Sequence, residues 1–192
     1  MRSSRLLALV TGAVLAGTLS TAALASSPVV SPKSASTTIV GAVLAADGEF
    51  DVLQAAVVKA GFVDLLNGTD QYTVFAPTDA AFVALFSALT SGAVTTESGA
   101  IAAIQAGAVD AILADVLRYH VTEGRRFSNS VLPRRTGGTK WVETALGQSL
   151  KVAHNGTITT TSGGSAHIVA PNVNATNGVI HVIDAVLVPD LD

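Results

Sequence analysis

The sequence predicts an α+β domain, because helical and strand periodicity occupy separate halves of the chain. From Thr37 to His120, apolar residues recur every three or four positions, which is the spacing of an amphipathic helix. After His120 the period changes to about two, and Gly-rich pairs separate β-branched segments. Segregated elements of this kind favour largely antiparallel sheets with helices packed at one side. Apolar residues make up 49% and charged residues 13% of the 192 residues, which excludes an intrinsically disordered chain.

The helical half begins with two short helices and a strand. Apolar spacing from Ile39 onward predicts the two helices, with a break at Asp47-Gly48. Residues 72–75 are aromatic or β-branched, so they predict a short strand. Pro77 is expected to end this strand, because proline has no backbone N–H to donate.

Further helices follow the strand. Thr78 or Asp79 offers a side-chain oxygen to the open N–H groups at the start of a helix that carries Phe82 on its apolar face. The Ala-rich segment 101–120 keeps helical spacing, and Gly107 is expected to divide it into two helices.

The second half predicts a succession of strands and turns. Asn155-Gly156 is a strong hairpin signal, because both residues accept positive φ. Thr159, Thr160 and Thr161 suggest an exposed strand that is polar on both faces. The last strand is apolar on both faces and is expected to be central, with His181 and Asp184 buried and hydrogen-bonded. The predicted strand segments are residues 127–132, 139–146, 149–153, 157–161, 167–173 and 179–188.

The N-terminus has the pattern of an export signal. Arg2 and Arg5 precede an uncharged, mostly apolar stretch that ends in Ala23-Leu24-Ala25, a small-residue cleavage site. The alternative is a retained membrane anchor, because the stretch approaches the ~20 residues needed to span a bilayer. We therefore predict a signal peptide at 1–25, a Ser/Pro-rich tether at 26–36 and one domain at 37–190. No other apolar run is long enough to cross a membrane, so the mature product is expected to be secreted, extracellular or periplasmic.

Composition and missing motifs exclude several function classes. The net charge of −3 offers no basic surface for a phosphate backbone, so nucleic acid is not expected as a partner. The chain has no Cys, which excludes disulfides, a thiol nucleophile and Cys-based metal sites. Serine-hydrolase, phosphate-loop and dinucleotide motifs are absent, so no catalytic residue and no cofactor is predicted. His154 and His167 flank successive strands, but they lack a third ligand, and no metal is expected.

Three segments carry a resemblance to a known family. Residues 72–82 read YTVFAPTDAAF, residues 117–121 read LRYHV, and residues 177–189 read NGVIHVIDAVLVP. In this order and spacing, they resemble the first motif, the central Tyr-His motif and the second motif of the fasciclin (FAS1) domain. The resemblance covers nearly the whole mature chain. It implies a wedge-shaped β-sandwich decorated by helices, in a secreted or surface-anchored protein with adhesion or matrix contacts.

The resemblance also implies candidate binding residues. The family's Tyr-His pair is matched by Tyr119 and His120 and lies near a partner-binding surface, and the family's Asp is matched by Asp184. The alternative is structural: the two side chains join the helix end to the sheet, because each combines an apolar body with a polar tip. No Arg-Gly-Asp tripeptide is present.

A local basic cluster is the second candidate binding feature. It could bind an anionic polysaccharide or acidic headgroups. The alternative is a solvated sheet edge that charge protects from pairing with another sheet. The cluster consists of Arg125, Arg126, Arg134, Arg135 and Lys140.

Together these features predict an exported, non-catalytic module for cell adhesion or for binding to the extracellular matrix or cell surface. The expected partner is an extracellular protein, an anionic polysaccharide or another cell-envelope component. One alternative is a secreted hydrolase that uses His and Asp side chains in a shared pocket. The other is a carbohydrate-binding module, which usually needs exposed aromatic residues. Aromatic residues make up only 5% of the chain, so this alternative depends on the exposure of the single Trp, Trp141.

Overall fold

The computed structural model describes residues 37–45 and 48–191. The predicted signal peptide, the predicted tether and Asp47 lie outside the described residues. The first half is helical apart from one strand, and a short seventh helix lies among the strands of the second half. The helices are α1 (Ile39–Val43), α2 (Asp51–Lys59), α3 (Val63–Asn67), α4 (Asp79–Leu89), α5 (Glu97–Gln105), α6 (Asp110–Tyr119) and α7 (Ser128–Val131).

Within the described residues, seven strands form a single sheet in the order β2-β1-β7-β6-β5-β4-β3, which confirms the predicted α+β class. All neighbouring pairs are antiparallel except β1 and β7, which run parallel. The strands are β1 (Tyr72–Pro77), β2 (Val121–Glu123), β3 (Thr139–Glu143), β4 (Ser149–Ala153), β5 (Thr157–Thr159), β6 (Ser165–Ala175) and β7 (Gly178–Ile183).

The sheet folds back on itself, which produces the predicted sandwich. The long strand β6 pairs with β5 at its start and with β7 towards its end, and two register shifts lie between Ile168 and Val173. Such irregularities bend a strand and increase its twist. The two edges of the sheet then meet. The Ala145 N–H donates to the Val121 carbonyl at 2.7 Å, and the Thr122 hydroxyl donates to the Glu143 carbonyl at 2.6 Å.

Two apolar cores result from this folding. One packs the helices against one face of β1 and β7, and the other fills the space inside the folded sheet. Alternation along β1 serves both cores, because Val74 belongs to the helical core and Phe75 to the inner one. The inner core also takes Tyr119 from the end of α6 and Leu187 from the C-terminal segment.

Local capping explains the helix boundaries. Thr78 caps α4 as predicted, because its hydroxyl accepts the N–H of Ala81. The carboxylate of Asp79 caps a different helix, since it accepts the N–H groups of Asp51 and Val52 at the start of α2. Gly107, with φ of +83°, divides α5 from α6 as predicted.

The predicted strand at 127–132 is wrong, because this segment contains helix α7. Phe127 and Val131 are four residues apart, a spacing that fits one helical turn as well as one face of a strand, and the side chain of Asn172 favours the helix. Asn172 accepts the N–H of Ser128 at 2.7 Å and donates to the Ser128 hydroxyl at 2.8 Å. Asn172 lies 44 residues after Ser128, so the sequence around α7 could not predict this cap.

Two other expectations about the strands are also wrong. Strand β5 ends at Thr159, and Thr160 is buried, with its hydroxyl accepting the N–H of Gly164 at 2.8 Å. A strand polar on both faces is therefore absent from the described residues. Strand β7 is central and buried as predicted, but it ends at Ile183, so Asp184 lies beyond it and is exposed.

No individual helix of the described residues has both the length and the apolarity to cross a membrane. Helices α5 and α6 meet those criteria only as a pair, and the pair is bent by 114°.

Candidate functional site

Tyr119 and His120 lie at the end of α6, and both side chains are buried. The Tyr119 hydroxyl accepts the N–H of Thr161 at 3.2 Å and lies 3.4 Å from the Thr161 hydroxyl. The imidazole of His120 lies between the Val116 carbonyl, 2.7 Å from Nδ1, and the Leu187 N–H, 2.9 Å from Nε2. Both residues therefore join the helix end to later parts of the chain, and neither presents its side chain at the surface.

The partners of His120 fix its protonation state. A carbonyl faces Nδ1 and an N–H faces Nε2, so Nδ1 carries the proton and the ring is neutral. Burial lowers the pKa of His120 from its ordinary value of 6.5 to about 4, against the opposing effect of the Val116 carbonyl. With both ring nitrogens bonded to backbone, His120 has no lone pair left for proton transfer.

His181, in the centre of β7, has an equivalent arrangement. Its Nε2 donates to the Arg126 carbonyl at 2.9 Å, and its Nδ1 accepts the N–H of Asn172 at 3.3 Å. The ring stacks on Phe75 with centroids 5.7 Å apart. Burial lowers the pKa of His181, and the bond to the Arg126 carbonyl opposes this shift. His181 is thus buried and hydrogen-bonded as predicted.

Asp184 differs from the expectation of a buried strand residue. It is exposed, and its carboxylate accepts the N–H of His167 at 2.6 Å, while its own N–H donates to the His167 carbonyl. This double link fixes the start of β6 to the end of β7.

The segment carrying Arg125 and Arg126 is held by buried polar groups of the sheet. The Thr73 hydroxyl accepts the Arg126 N–H at 2.8 Å and donates to the Gly124 carbonyl at 2.7 Å. Together with the bond from His181, this gives the backbone of the segment three fixed contacts. Arg125 lies over the ring of Phe127, with 5.4 Å between the guanidinium carbon and the ring centroid.

Three of the five residues in the basic cluster line two separate clefts. Arg134 and Lys140 line a cleft of about 490 Å³ beside the edge strand β3, together with Asn129 and Ser130. The Lys140 ammonium donates to the Ser130 carbonyl. Arg126 lines a second cleft, of about 300 Å³, whose walls also include Glu123 and Glu143. Arg135 is exposed in the turn before β3.

Charge is distributed unevenly along the chain. Residues 37–120 contain nine acidic and two basic residues, a net charge of −7, whereas residues 121–192 contain five acidic and six basic residues, a net charge of +1. The two basic residues of the helical half are paired: Lys59 lies 3.3 Å from Asp110, and Arg118 lies 3.4 Å from Asp115. None of the six in the strand half forms an ion pair with a carboxylate of the described residues.

The exposed sheet face carries features that the sequence did not reveal. Trp141, on β3, is 62% exposed. Its cross-strand partner on β4 is Lys151, which is also exposed. Lys151 stands apart from the basic pairs in sequence, and only the strand register places it beside Trp141. No signal in the linear sequence identified this pairing.

The potential metal ligands of the described residues are dispersed. Within 37–45 and 48–191, no group of three or more His, Asp or Glu side chains is placed to hold a metal ion. No buried side-chain nitrogen or oxygen atom of those residues is left without a hydrogen bond.

The comparisons with known proteins agree on one family. A family model described as the Fasciclin domain matches residues 48–189. Transforming growth factor-beta-induced protein ig-h3 of Sus scrofa is 31% identical over 147 residues, which is 77% of this chain and 19% of the relative. Immunogenic protein MPB70 of Mycobacterium bovis is 34% identical over 133 residues, which is 68% of this chain and 56% of the relative. The chain therefore spans about a fifth and just over half of these two proteins.

A relative of similar size and a solved structure complete the comparison. Protein sll1735 of Synechocystis is 33% identical over 147 residues, covering 73% of this chain and 90% of the relative. A FAS1 domain pair from the insect cell adhesion molecule fasciclin I matches with a TM-score of 0.59 and 20% identity, over 80% of this chain and 51% of that one. At this identity the structural match supports the fold alone.

Proposed function

The chain belongs to the fasciclin domain family, and on this basis we propose that it is an exported, non-catalytic module that binds components of the cell surface or extracellular matrix. The resemblance seen in the three sequence motifs is thereby confirmed. The family resemblance implies adhesion or matrix contacts, and this is the general role that we propose.

The observation that carries the proposal is the uneven distribution of charge. The guanidinium groups of Arg134 and Arg135 are exposed, and they form no hydrogen bond or ion pair with the described residues. The strand half contains six basic residues, whereas the helical half has a net charge of −7. An anionic partner is therefore attracted to the strand half of the molecule and repelled from the helical half. The expected partner is an anionic polysaccharide or an acidic protein of the envelope or matrix.

The residues singled out by the family motif have supporting roles in this proposal. Tyr119 and His120 are buried, so they act by holding α6 and the C-terminal segment in place. Asp184 fixes the start of β6 through His167. Arg125, Arg126, Arg134, Arg135 and Lys140 are the proposed contact residues.

A non-catalytic role agrees with the state of the two buried histidines. His120 and His181 each use both ring nitrogens in bonds to backbone groups, so neither is placed as a general base. A secreted hydrolase would need a histidine as general base, and the described residues contain no buried histidine besides these two. The carbohydrate-binding alternative is favoured by one observation, the exposure of Trp141.

Binding to the cell envelope tests the proposal. The exported product is incubated at low ionic strength with the envelope fraction of its own cells, and the bound fraction is measured by cosedimentation. We expect saturable binding that Arg134→Gln with Arg135→Gln weakens about tenfold or more, because two phosphate- or carboxylate-binding cations are lost. Lys59→Gln with Arg118→Gln removes the same charge from the paired residues of the helical half and should bind as wild type. Equal losses in both double variants, or no binding at all, would contradict the proposal.

Export is tested separately. N-terminal sequencing of the exported product should return Ser26 as the first residue, because Ala23 and Ala25 have the small side chains that a signal peptidase accepts. A product that begins at Met1 would contradict this part of the proposal.

A further inference from the structure

A cleft lies between helix α7 and the start of strand β3. Its volume of about 490 Å³ is within the range of small-molecule sites. The strand register pairs Lys140 with Val152, a residue of the inner core, so Lys140 lies on the opposite face of β3 from Trp141. The cleft is therefore separate from the exposed sheet face that carries the indole ring. Its lining residues are Asn129, Ser130, Leu132, Pro133, Arg134 and Lys140.

Two cations and no carboxylate of the described residues line this cleft. Residues 124–142 contain five basic residues and neither Asp nor Glu. The cleft beside Arg126 differs, because Glu123 and Glu143 are part of its walls. Neither Arg134 nor Lys140 forms an ion pair with a carboxylate of the described residues. An anion that enters the cleft beside α7 therefore meets two uncompensated positive charges.

Hydrogen bonds hold the walls of this cleft in place. The Lys140 ammonium donates to the Ser130 carbonyl, which fixes its position, and two of its three N–H groups can still donate to a ligand. Asn172 caps the helix that carries Ser130. Nδ1 of His154 donates to the Pro133 carbonyl at 2.8 Å, because a carbonyl can only accept. Binding therefore has to order few groups of the walls, which favours affinity.

We infer that this cleft binds the phosphate monoester of a phosphorylated sugar. A phosphate monoester carries a charge of about −1.5 to −2 near neutral pH, whereas a carboxylate carries about −1, so two cations favour the phosphate. The guanidinium of Arg134 can donate two parallel hydrogen bonds to phosphate oxygens, and Lys140 adds a point charge. The amide of Asn129 and the hydroxyl of Ser130 can exchange hydrogen bonds with the hydroxyls of the sugar.

A sugar matches the lining of the cleft better than a membrane surface does. A protein that docks on a bilayer buries apolar side chains in the membrane interface beside its cations. The apolar residues of the cleft, Leu132 and Pro133, are half-buried, and none of the large apolar residues that are exposed in the described chain lines it. The polar neighbours of the two cations instead fit a ligand that carries hydroxyl groups.

This inference rests on the proposed function, because it names the anionic group that the basic cluster would bind on an envelope or matrix component. It places the main contact at Arg134 and Lys140, and it replaces an unspecified anionic partner with a phosphorylated sugar.

Titration of the exported protein with small sugars tests the inference. The probes are glucose 6-phosphate, glucose 6-sulfate, galacturonate and glucose, followed by calorimetry and by the backbone amide signals of residues 129–140. We expect saturable binding of glucose 6-phosphate with signal changes at the cleft, and no binding of glucose. Glucose 6-sulfate and galacturonate should bind at least about fivefold more weakly, because each carries one negative charge. Absence of binding by glucose 6-phosphate, or equal affinity for galacturonate, would overturn the inference.

Lysine variants on the two faces of the sheet separate the cleft from the overall charge. Lys140→Gln should weaken the binding of glucose 6-phosphate about tenfold, because it removes one of the two cations. Lys151→Gln removes the same charge from the adjacent strand, on the face that carries Trp141, and should bind as wild type. Both variants should unfold at the wild-type denaturant midpoint, since exposed charges contribute little to stability. Equal losses of binding in the two variants would contradict a site in the cleft.

Vesicles and the envelope fraction distinguish the remaining outcomes. Phosphatidylcholine vesicles that contain phosphatidic acid present a phosphate monoester on a lipid. If the wild type binds these vesicles and not glucose 6-phosphate, the ligand is a lipid headgroup and the inference fails. If the wild type binds its envelope fraction without binding glucose 6-phosphate, the inference fails while the proposed function stands. If it binds glucose 6-phosphate but not the envelope fraction, the proposed function fails and the cleft is still a site for phosphorylated sugars.

Discussion

The Nε2 atom of His120 accepts a hydrogen bond of 2.9 Å from the backbone N–H of Leu187, 67 residues further along the chain. Leu187 is itself fully buried in the inner core, to which Tyr119 also belongs. The end of helix α6 and the segment after the last strand are therefore held together by a buried polar contact. Each partner depends on the other, because a buried N–H without an acceptor is costly.

Replacement of His120 should destabilise the fold. His120→Ala leaves a cavity and removes the partners of the Val116 carbonyl and the Leu187 N–H, so we expect a loss of about 1–3 kcal/mol in the free energy of unfolding. Urea denaturation measures it. His167→Ala, at an exposed histidine, is the control and should change stability little. Coincident midpoints for His120→Ala and wild type, with lost partner binding, would instead make His120 a contact residue.

Stability should also fall with decreasing pH. The pKa of His120 is about 4 in the folded state and about 6.5 when unfolded, so the unfolded chain binds more protons between these values. The stabilisation is complete above pH 6.5 and is lost as the pH falls towards 4, with a slope of up to about 1.4 kcal/mol per pH unit. His181, whose pKa is also lowered by burial, acts in the same direction.

Replacing each buried histidine with glutamine, which does not titrate, isolates the contribution of the histidines to the pH dependence. The slope of unfolding free energy between pH 6.5 and 4.5 should be shallower in His120→Gln than in wild type, and shallower again when His181→Gln is added. Identical slopes in all three proteins would show that carboxylates alone cause the pH dependence.

The helix caps Thr78 and Asp79 should contribute unequally to the free energy of unfolding. Asp79→Ala should cost about 2 kcal/mol, because the buried carboxylate accepts two N–H groups at the start of α2. Thr78→Ala should cost about 1 kcal/mol, since it removes one cap bond at α4. Thermal or urea denaturation compares the two. A larger loss in Thr78→Ala would contradict the assignment of Asp79 to α2.

Gly178 is required by close packing at the start of β7. A Cβ at this position would collide with the Tyr72 carbonyl and lie 2.7 Å from the Ile39 Cδ1 atom. Gly178→Ala should therefore cost about 3 kcal/mol or prevent folding. Gly68→Ala is the matched control, because its Cβ would meet its nearest neighbour at 3.6 Å, an ordinary contact. Similar stability in both variants would contradict this packing.

Local patterns predicted the elements whose stabilising contacts are also local. The Thr78 cap, the break at Gly107 and the Asn155-Gly156 turn each depend on residues within a few positions, and all are present. The central position of the last strand followed from apolar residues on both of its faces.

Features set by distant contacts could not be predicted. Helix α7 depends on a cap from Asn172, 44 residues after Ser128. The carboxylate of Asp79 caps α2, 27 residues earlier in the chain. The pairing of Trp141 with Lys151 follows from strand register, which one sequence does not fix. The basic cluster was predicted as one unit because its members are close in sequence. In the structure, Arg134 and Lys140 line one cleft and Arg126 lines another.

The salt dependence of binding tests the central claim most directly. Binding of the exported protein to its envelope fraction is measured from low salt to the molar range, where the screening length falls to about 3 Å. An anionic partner held by the basic side of the molecule predicts progressive loss of wild-type binding, and weak binding with little salt dependence for Arg134→Gln with Arg135→Gln. Binding that is the same at low and molar salt, and the same in the double variant, would contradict the account.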